Sequence, residues 1–162
     1  MALNDRKSPK LYYIPNTSDT ESPSFELEDL VELNFIYQFA DQVYFYDYDK
    51  DGDQDIMINN NGQAPTFYCN HGNTNSFISV KLGETGNNTQ ALGARVYVTV
   101  GETTQMREIH AGNTYVSQNP TDAHFGLGGT SEVDLIRIVW SDGAYTEIND
   151  VDANQYLTVE RN

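Results

Sequence analysis

An acidic run at residues 47–55 holds the densest group of side chains that could do chemistry. Its carboxylates stand at every second position and belong to Asp47, Asp49, Asp51, Asp53 and Asp55. Such a group repels itself unless a hard cation lies within it, and calcium accepts six to eight oxygen ligands in flexible geometry. Magnesium demands stricter octahedral geometry and suits a crowded anionic loop less well. The run therefore predicts a calcium site.

The residues on either side of the acidic run predict how it is held. Tyr44-Phe45-Tyr46 and Ile56-Met57-Ile58 are both typical of strands, so the run should close a strand-loop-strand hairpin, with Gly52 at its tightest point. An EF-hand would need a bidentate Glu at its twelfth position, where this chain has the apolar Ile58. Asp55, at the ninth position, would replace that Glu. A solvated acidic turn without an ion is the alternative.

The pattern Asp-x-Asp-x-Asp-Gly-x-x-Asp resembles the calcium loop of FG-GAP/VCBS β-propeller blades, as found in integrin α-subunits, and it is complete over residues 47–55. This resemblance implies side-chain ligands from Asp47, Asp49, Asp51 and Asp55. It implies a backbone carbonyl ligand from Asp53, whose side chain would point outward or lie just behind the direct ligands. Residues 67–72 resemble the third strand of such a blade, and residues 11–27 the end of a preceding one.

No catalytic apparatus is apparent elsewhere. Five polar residues attract attention, namely Arg95, Arg107, Glu108, His110 and His124. Arg107 and Glu108 are neighbours on a predicted strand and point to opposite faces, so cross-strand pairing explains them better than a shared substrate. His124 precedes Phe125-Gly126-Leu127-Gly128, which we interpret as a close-packed glycine-rich turn with a hydrogen-bonded structural histidine.

No nucleophile stands out either. Ser117 lacks a nucleophile elbow, and Cys69 is expected within a strand. The chain is therefore predicted not to be an enzyme.

The carboxy-terminal half resembles a second known module. Residues 76–160 are similar to the ASPIC/UnbV domain of the cartilage acidic protein family and its bacterial relatives. The resemblance is carried by residues 92–96 (LGARV), 105–109 (QMREI), 115–118 (YVSQ), 124–128 (HFGLG) and 138–143 (IVWSDG). Ser141 departs from the family's usual Pro, and Asn113-Thr114 stands where a second Gly is common. The resemblance implies a small transthyretin-like β-sandwich that follows an FG-GAP-type propeller.

The sequence predicts an all-β fold around these sites. Short runs rich in Tyr, Val, Ile, Thr and Phe, bounded by turn formers, predict strands at residues 11–14, 25–27, 43–46, 55–59, 66–69, 76–82, 95–100, 104–110, 133–140, 144–148 and 156–159. Residues 26–39 are the only candidate helix and could equally be strand and loop. Turns are expected at Ser141-Asp142-Gly143 and Gly101-Glu102-Thr103. Val96, Val98 and Val100 should line an inner sandwich face.

A polar stretch at residues 71–75 suggests the domain boundary. We therefore predict one propeller-like blade region at residues 1–75 and a sandwich at residues 76–162. A single blade cannot close a propeller, so its exposed edges would need to be covered by the sandwich of the same chain or to pair with another chain.

Composition excludes several classes of partner. The formal charge is −15, with 9 basic and 24 acidic residues and no basic cluster, which argues against nucleic acid and anionic membranes. No apolar stretch is long enough to cross a bilayer. Cys69 is the single cysteine, so no internal disulfide can form. No signal peptide is visible, so it was removed, or the chain is cytoplasmic or an excised piece.

These observations support three functional hypotheses. The first is a secreted or cell-surface, calcium-binding adhesion or binding module, whose partner, protein or glycan, is unknown. The second is a calcium-stabilised structural subunit that self-associates through the blade edges of its amino-terminal half. The third is a hydrolase that uses the calcium ion or a His/Asp pair, which would require a deep pocket with convergent polar groups.

Overall fold

The computed structural model describes residues 11–13, 31–33, 42–72, 74–112 and 118–162, and every regular element in these ranges is a β-strand. The strands are β1 (Leu11–Tyr13), β2 (Val31–Leu33), β3 (Gln42–Tyr46), β4 (Asp55–Asn59), β5 (Thr66–Tyr68), β6 (Ser76–Glu84), β7 (Arg95–Val100), β8 (Thr103–Glu108), β9 (Ala123–Gly128), β10 (Glu132–Val139), β11 (Tyr145–Asp152) and β12 (Gln155–Arg161). The all-β prediction is thereby confirmed.

Most of the predicted strands that fall on described residues agree with the structure to within a few residues. Within the candidate helix at residues 26–39, the described residues Val31–Leu33 form a strand that pairs with β1. The strand predicted at residues 25–27 lies outside the described residues. β9 was not predicted, because Gly126 and Gly128 suggested a turn. A Cβ at either glycine would meet nothing within 4 Å, so the expectation of close packing there was wrong.

The amino-terminal sheet comprises β3, β4 and β5 in that order, all antiparallel. Its first hairpin pairs Val43 with Ile58 and Tyr46 with Asp55. This register places residues 47–54 at the end of the hairpin, as the flanking strand patterns predicted. Ile58 is the buried apolar anchor of this sheet, with 2% of its surface exposed.

The described residues between 76 and 161 form two sheets around one core. One sheet has the order β11-β10-β7-β8 and the other β12-β6-β9, with β12 parallel to β6. Alternation along the strands directs Val96 and Val98 of β7 and Ile136 and Ile138 of β10 inward, where they meet Phe125 of the other sheet. Val100 is partly buried against the same core, which confirms the predicted inner face.

Both predicted turns of this region are present. Gly143 has a φ of 87°, its N–H donates to the Trp140 carbonyl at 2.9 Å, and the turn joins β10 to β11. Gly101, with a φ of 56°, lies between the paired Val100 and Thr103 at the end of the β7–β8 hairpin. Positive φ angles cost glycine little, which is why these two positions carry it.

β6 is the strand that links the sandwich to the acidic loop. Ile78, Val80 and Leu82 face the core, so Phe77 and Ser79 face the opposite side of the sheet, yet these two are also buried. Ser79 is in register with His124 of β9 on one side and with Tyr156 of β12 on the other. We call Phe77, Ser79, His124 and Tyr156 the outer patch. It is the face on which the loop rests.

Candidate metal centre

The acidic loop, residues 47–54 with Asp55 at its end, turns sharply at Gly52. Gly52 is buried and has a φ of 99°, a conformation that side-chain-bearing residues rarely adopt. A Cβ at this position would lie 2.2 Å from Cδ1 of Phe77, so the loop backbone contacts the outer patch directly. The glycine is therefore required both by the turn and by the close approach of the sandwich.

Three of the five predicted ligands are brought together. Asp47, Asp49 and Asp55 each offer a carboxylate oxygen, and these atoms all lie within 4.8 Å of one another. Two oxygens on opposite sides of one calcium ion are about 5 Å apart, since each bond is about 2.3–2.6 Å long. The spacing of the three oxygens therefore fits a single hard cation.

Asp51 and Asp53 lie outside this group of three. The Asp51 carboxylate accepts a hydrogen bond from the backbone N–H of Asp53 at 2.9 Å. Asp53 lies against the backbone of Gly72, where a Cβ would come within 1.7 Å of its Oδ2. The ligand role of Asp51 and the carbonyl role of Asp53 stay predictions.

Asp55 connects the loop by hydrogen bonds to the segment that follows β5. It is fully buried, and its two carboxylate oxygens accept hydrogen bonds from the backbone N–H groups of Tyr48 and Asn70, each at 2.8 Å. Tyr48 belongs to the loop and Asn70 follows β5, so one side chain joins three parts of the amino-terminal region. A buried carboxylate is costly unless hydrogen bonds or a cation compensate it, and these two bonds supply part of that compensation.

Asp47 has the least satisfied carboxylate of the group. Its Oδ2 accepts hydrogen bonds from the N–H of Gly52 at 2.8 Å and from the Tyr156 hydroxyl. Its Oδ1 is buried and has no hydrogen-bond partner among the described residues. A buried anionic oxygen without a donor, beside two further carboxylates, fits a bound cation.

Asp49 is exposed and contacts Cys69. Its Oδ1 lies 3.3 Å from the Asp51 backbone nitrogen, and the Cys69 thiol approaches its Oδ2 at 3.5 Å. Cys69 directly follows β5, so the expectation that it lies within a strand was wrong. Burial, together with the nearby Asp49 and Asp55 carboxylates, raises the pKa of the Cys69 thiol to about 11. The thiol therefore stays protonated at neutral pH and is a poor nucleophile.

The outer patch was missed by the sequence analysis as part of the site. The Phe77 ring stacks on His124, with centroids 5.6 Å apart, and meets Tyr156 edge-on at 5.4 Å. Burial, together with the Asp47 carboxylate, raises the pKa of the Tyr156 phenol. One signal was available in the sequence, because Phe77 is a large apolar residue on the same face of β6 as Ser79 and Lys81.

The remaining polar candidates have structural surroundings. Arg95 pairs with Glu108 across β7 and β8 at 3.2 Å, as cross-strand pairing predicted. The Arg107 guanidinium lies over the Phe125 ring at 5.3 Å. The expected hydrogen bond of His124 is absent at Nδ1, which is buried without a partner among the described residues, and burial lowers the pKa of this imidazole. Packing against Phe77 holds the ring instead.

A groove of about 570 Å³ runs beside the loop, between the amino-terminal sheet and the sandwich. Asp47, Lys50, Arg107, His124 and Tyr156 are among the residues that line it. The groove thus carries both cationic and anionic groups in a chain that is acidic as a whole.

Comparison with known proteins finds one family model that matches the carboxy-terminal half of the chain. Residues 83–162 match the family model described as ASPIC and UnbV. The match includes all strands from β7 to β12, and it does not reach the acidic loop. No curated protein matches the chain. The described residues include no helix long and apolar enough to cross a membrane.

Proposed function

We propose that this chain is a calcium-binding, non-catalytic module of the extracellular space or cell surface, in which the acidic loop holds the ion. The observation that carries the proposal is the buried, unpartnered Oδ1 of Asp47 beside the carboxylates of Asp49 and Asp55. Without a cation, these three negative charges repel one another at short range. A bound calcium ion would remove that repulsion and provide the missing partner.

Calcium suits the donor set better than the other common metal ions. All the candidate ligands are oxygens, which hard cations prefer, and the loop offers no imidazole. Asp47, Asp49 and Asp55 would bind through their side chains, and a modest movement of the exposed Asp51 would add a fourth carboxylate. The Asp53 carbonyl and water would complete the shell. Calcium tolerates such mixed and irregular coordination, whereas magnesium does not.

The proposed role is binding rather than catalysis. Arg95 and Glu108 are occupied with each other across β7 and β8. The groove beside the loop offers a surface for a protein or glycan partner, with polar groups from both the loop and the sandwich. In this proposal, calcium shapes one wall of that groove. The FG-GAP/VCBS character of residues 1–75 and the transthyretin-like topology of the sandwich belong to the same proposal.

Isothermal titration calorimetry tests the calcium site directly. The wild-type chain, stripped of metal, should bind one calcium ion and bind magnesium at least about tenfold more weakly. Asp49→Asn should reduce calcium affinity by about tenfold or more, because it removes one charged ligand. Asp150→Asn is the matched control, since it makes the same change at an exposed acidic residue of β11. Absence of calcium binding to the wild type, or equal losses in both variants, would refute the site.

A second candidate function, self-association through the amino-terminal sheet, has an observation of its own. Phe45, Tyr48, Phe67 and Tyr68 are exposed side chains of this sheet and its loop, with exposed fractions between 37% and 63%. Exposed aromatic residues next to strand edges are suited to contact with another chain. In this reading, the chain is a calcium-stabilised subunit of an extracellular assembly.

A further inference from the structure

We infer that calcium binding to the acidic loop stabilises the carboxy-terminal sandwich, because the loop is fastened to the outer patch by Asp47 and Gly52. This inference rests on the proposed calcium site and assigns it a second role. The ion would then set the stability of a domain that supplies none of its proposed ligands.

The outer patch is buried and packed in the way that an interface within a protein is. On a solvent-facing sheet surface, Phe77 would be exposed, yet only 7% of its surface is accessible. Tyr156 and His124 flank its ring, and the backbone of Gly52 closes over it. The sandwich therefore buries an aromatic side chain outside its own core by using the acidic loop as a cover.

The hydrogen bond between the loop and the outer patch is made by Asp47, which is also a proposed calcium ligand. Oδ2 of Asp47 accepts hydrogen bonds from Gly52, within the loop, and from the Tyr156 hydroxyl, within the sandwich. The other oxygen of the same carboxylate is the buried one without a partner. An ion that holds Asp47 in place would hold the acceptor of the Tyr156 hydrogen bond in place as well.

The patch also lies where the sandwich joins its last strand. β12 is an edge strand held to β6 by parallel pairing, and Tyr156 lies on it. Next to this pair, the Phe77 N–H donates to the side chain of Asn154, and the Asn154 N–H donates to the Phe77 carbonyl. A loop fastened over Phe77 and Tyr156 therefore covers the β6–β12 seam. Release of the loop would expose that seam.

Repulsion between carboxylates gives the direction of the effect. In chelator, Asp47, Asp49 and Asp55 favour a more open loop, which weakens the contacts of Asp47 and Gly52 with the patch. Calcium reverses this preference. Binding linkage makes this coupling reciprocal. If packing of the loop on the outer patch increases the affinity for calcium, calcium stabilises the packed loop and patch by the same free energy.

The chain contains a natural reporter for the sandwich alone. Trp140 is the single tryptophan, is 3% exposed, and lies directly after β10, in the sheet that does not carry the patch. Its indole N–H donates to the Thr146 hydroxyl at 2.9 Å. Tryptophan emission therefore follows unfolding of the sandwich and does not respond directly to the loop.

The experiment combines Trp140 thermal melting with calorimetric calcium binding. Wild type, Tyr156→Phe and Tyr145→Phe would each be melted in chelator and at calcium concentrations of about one hundred times the dissociation constant measured for that variant. Equal occupancy removes differences in affinity from the comparison. Tyr145→Phe is the matched control, since its ring lies on β11 against Arg137, in the other sheet.

Calcium should raise the Trp140 midpoint of wild type and Tyr145→Phe by roughly 5–15 °C. In Tyr156→Phe the aromatic ring stays and only the hydroxyl is lost, so the shift should fall to less than half while calcium still binds. Calcium binding without any shift in the wild-type midpoint would overturn the inference and leave the calcium site intact. A full shift in Tyr156→Phe would also overturn it. Absence of calcium binding to the wild type would overturn both proposals.

Discussion

The Tyr156 hydroxyl donates a hydrogen bond to the Asp47 carboxylate, although the two residues are 109 positions apart. Asp47 opens the acidic loop of the amino-terminal region, and Tyr156 lies on the last strand of the sandwich. The bond therefore connects the predicted metal centre to the part of the chain that matches a known family. The behaviour of the loop and of the sandwich should accordingly be linked.

Gly52→Ala should be the most disruptive single-methyl change in the loop. It combines a φ of 99° with a Cβ that would collide with the Phe77 ring, which is itself confined between two other rings. We expect a loss of about 2–4 kcal/mol in the free energy of unfolding. Gly62→Ala is the matched control, because Gly62 has a φ of 75° but nothing within 4 Å of its added Cβ. It should cost about 1–2 kcal/mol. Urea unfolding measures both, and equal losses would contradict the predicted clash.

Asp55 and Asp49 should differ when no calcium is present. Asp55→Ala removes a fully buried carboxylate and leaves the backbone N–H groups of Tyr48 and Asn70 without their acceptor, so we expect a loss of about 2–4 kcal/mol even in chelator. Asp49→Ala removes an exposed carboxylate from a repelling group and should change stability by less than about 0.5 kcal/mol under the same conditions. Denaturant unfolding in chelator gives both values. A harmless Asp55→Ala would show that its hydrogen bonds do not hold the loop.

Stability of the sandwich should decline in acid partly through Asp142. Hydrogen bonds from the Arg161 side chain and the Ala144 N–H lower the pKa of Asp142 to about 2, from an ordinary value of 3.8. Because the folded-state pKa is depressed, the contribution is fully present above the unfolded-state value and is lost as pH falls from about 4 to about 2. Arg161 also lies over the Trp140 ring, so tryptophan emission can follow the transition.

Asp142→Asn should therefore flatten the decline of the Trp140 melting midpoint across this pH window. Asp150→Asn serves as the control, since it removes one carboxylate from the neighbouring strand β11 and should leave the decline unchanged. The effect should be modest, because Asp142 is about half exposed to solvent and Arg161 is partly exposed, so that water screens the pair. Indistinguishable pH profiles for wild type and Asp142→Asn would contradict the role of the pair.

Association through the amino-terminal sheet should depend on calcium and salt. A net charge of −15 opposes contact between copies, and both conditions reduce that repulsion. We expect the mass measured by sedimentation to rise with protein concentration in saturating calcium and physiological salt. Phe67→Ser should reduce the association, whereas Tyr145→Ser, at an exposed aromatic residue of the sandwich, should not. A strictly monomeric mass under these conditions would exclude the assembly hypothesis.

Local patterns predicted those parts of the structure that depend on neighbouring residues. Short apolar and β-branched runs bounded by turn formers located β4 and β7 to the residue, and Gly143 marked the turn that joins β10 to β11. The spacing of Asp47, Asp49 and Asp55 likewise sufficed to predict a group of carboxylates. In each case the determining interactions lie within a few residues, where strand periodicity and turn geometry act directly.

Contacts between distant segments were decided by tertiary structure alone. The glycines of β9 suggest a turn when read locally, but pairing with β6 makes this segment a strand. Asp51 and Asp49 are equivalent in the sequence pattern, and only the folded loop brings Asp49 and not Asp51 into the group with Asp47 and Asp55. The parallel pairing of β12 with β6 places Tyr156 on the same sheet face as Phe77, and the acidic loop packs against these two residues. Each strand could pair with several others in the chain. The pairing that forms is the one that buries apolar surfaces from segments far apart in the sequence.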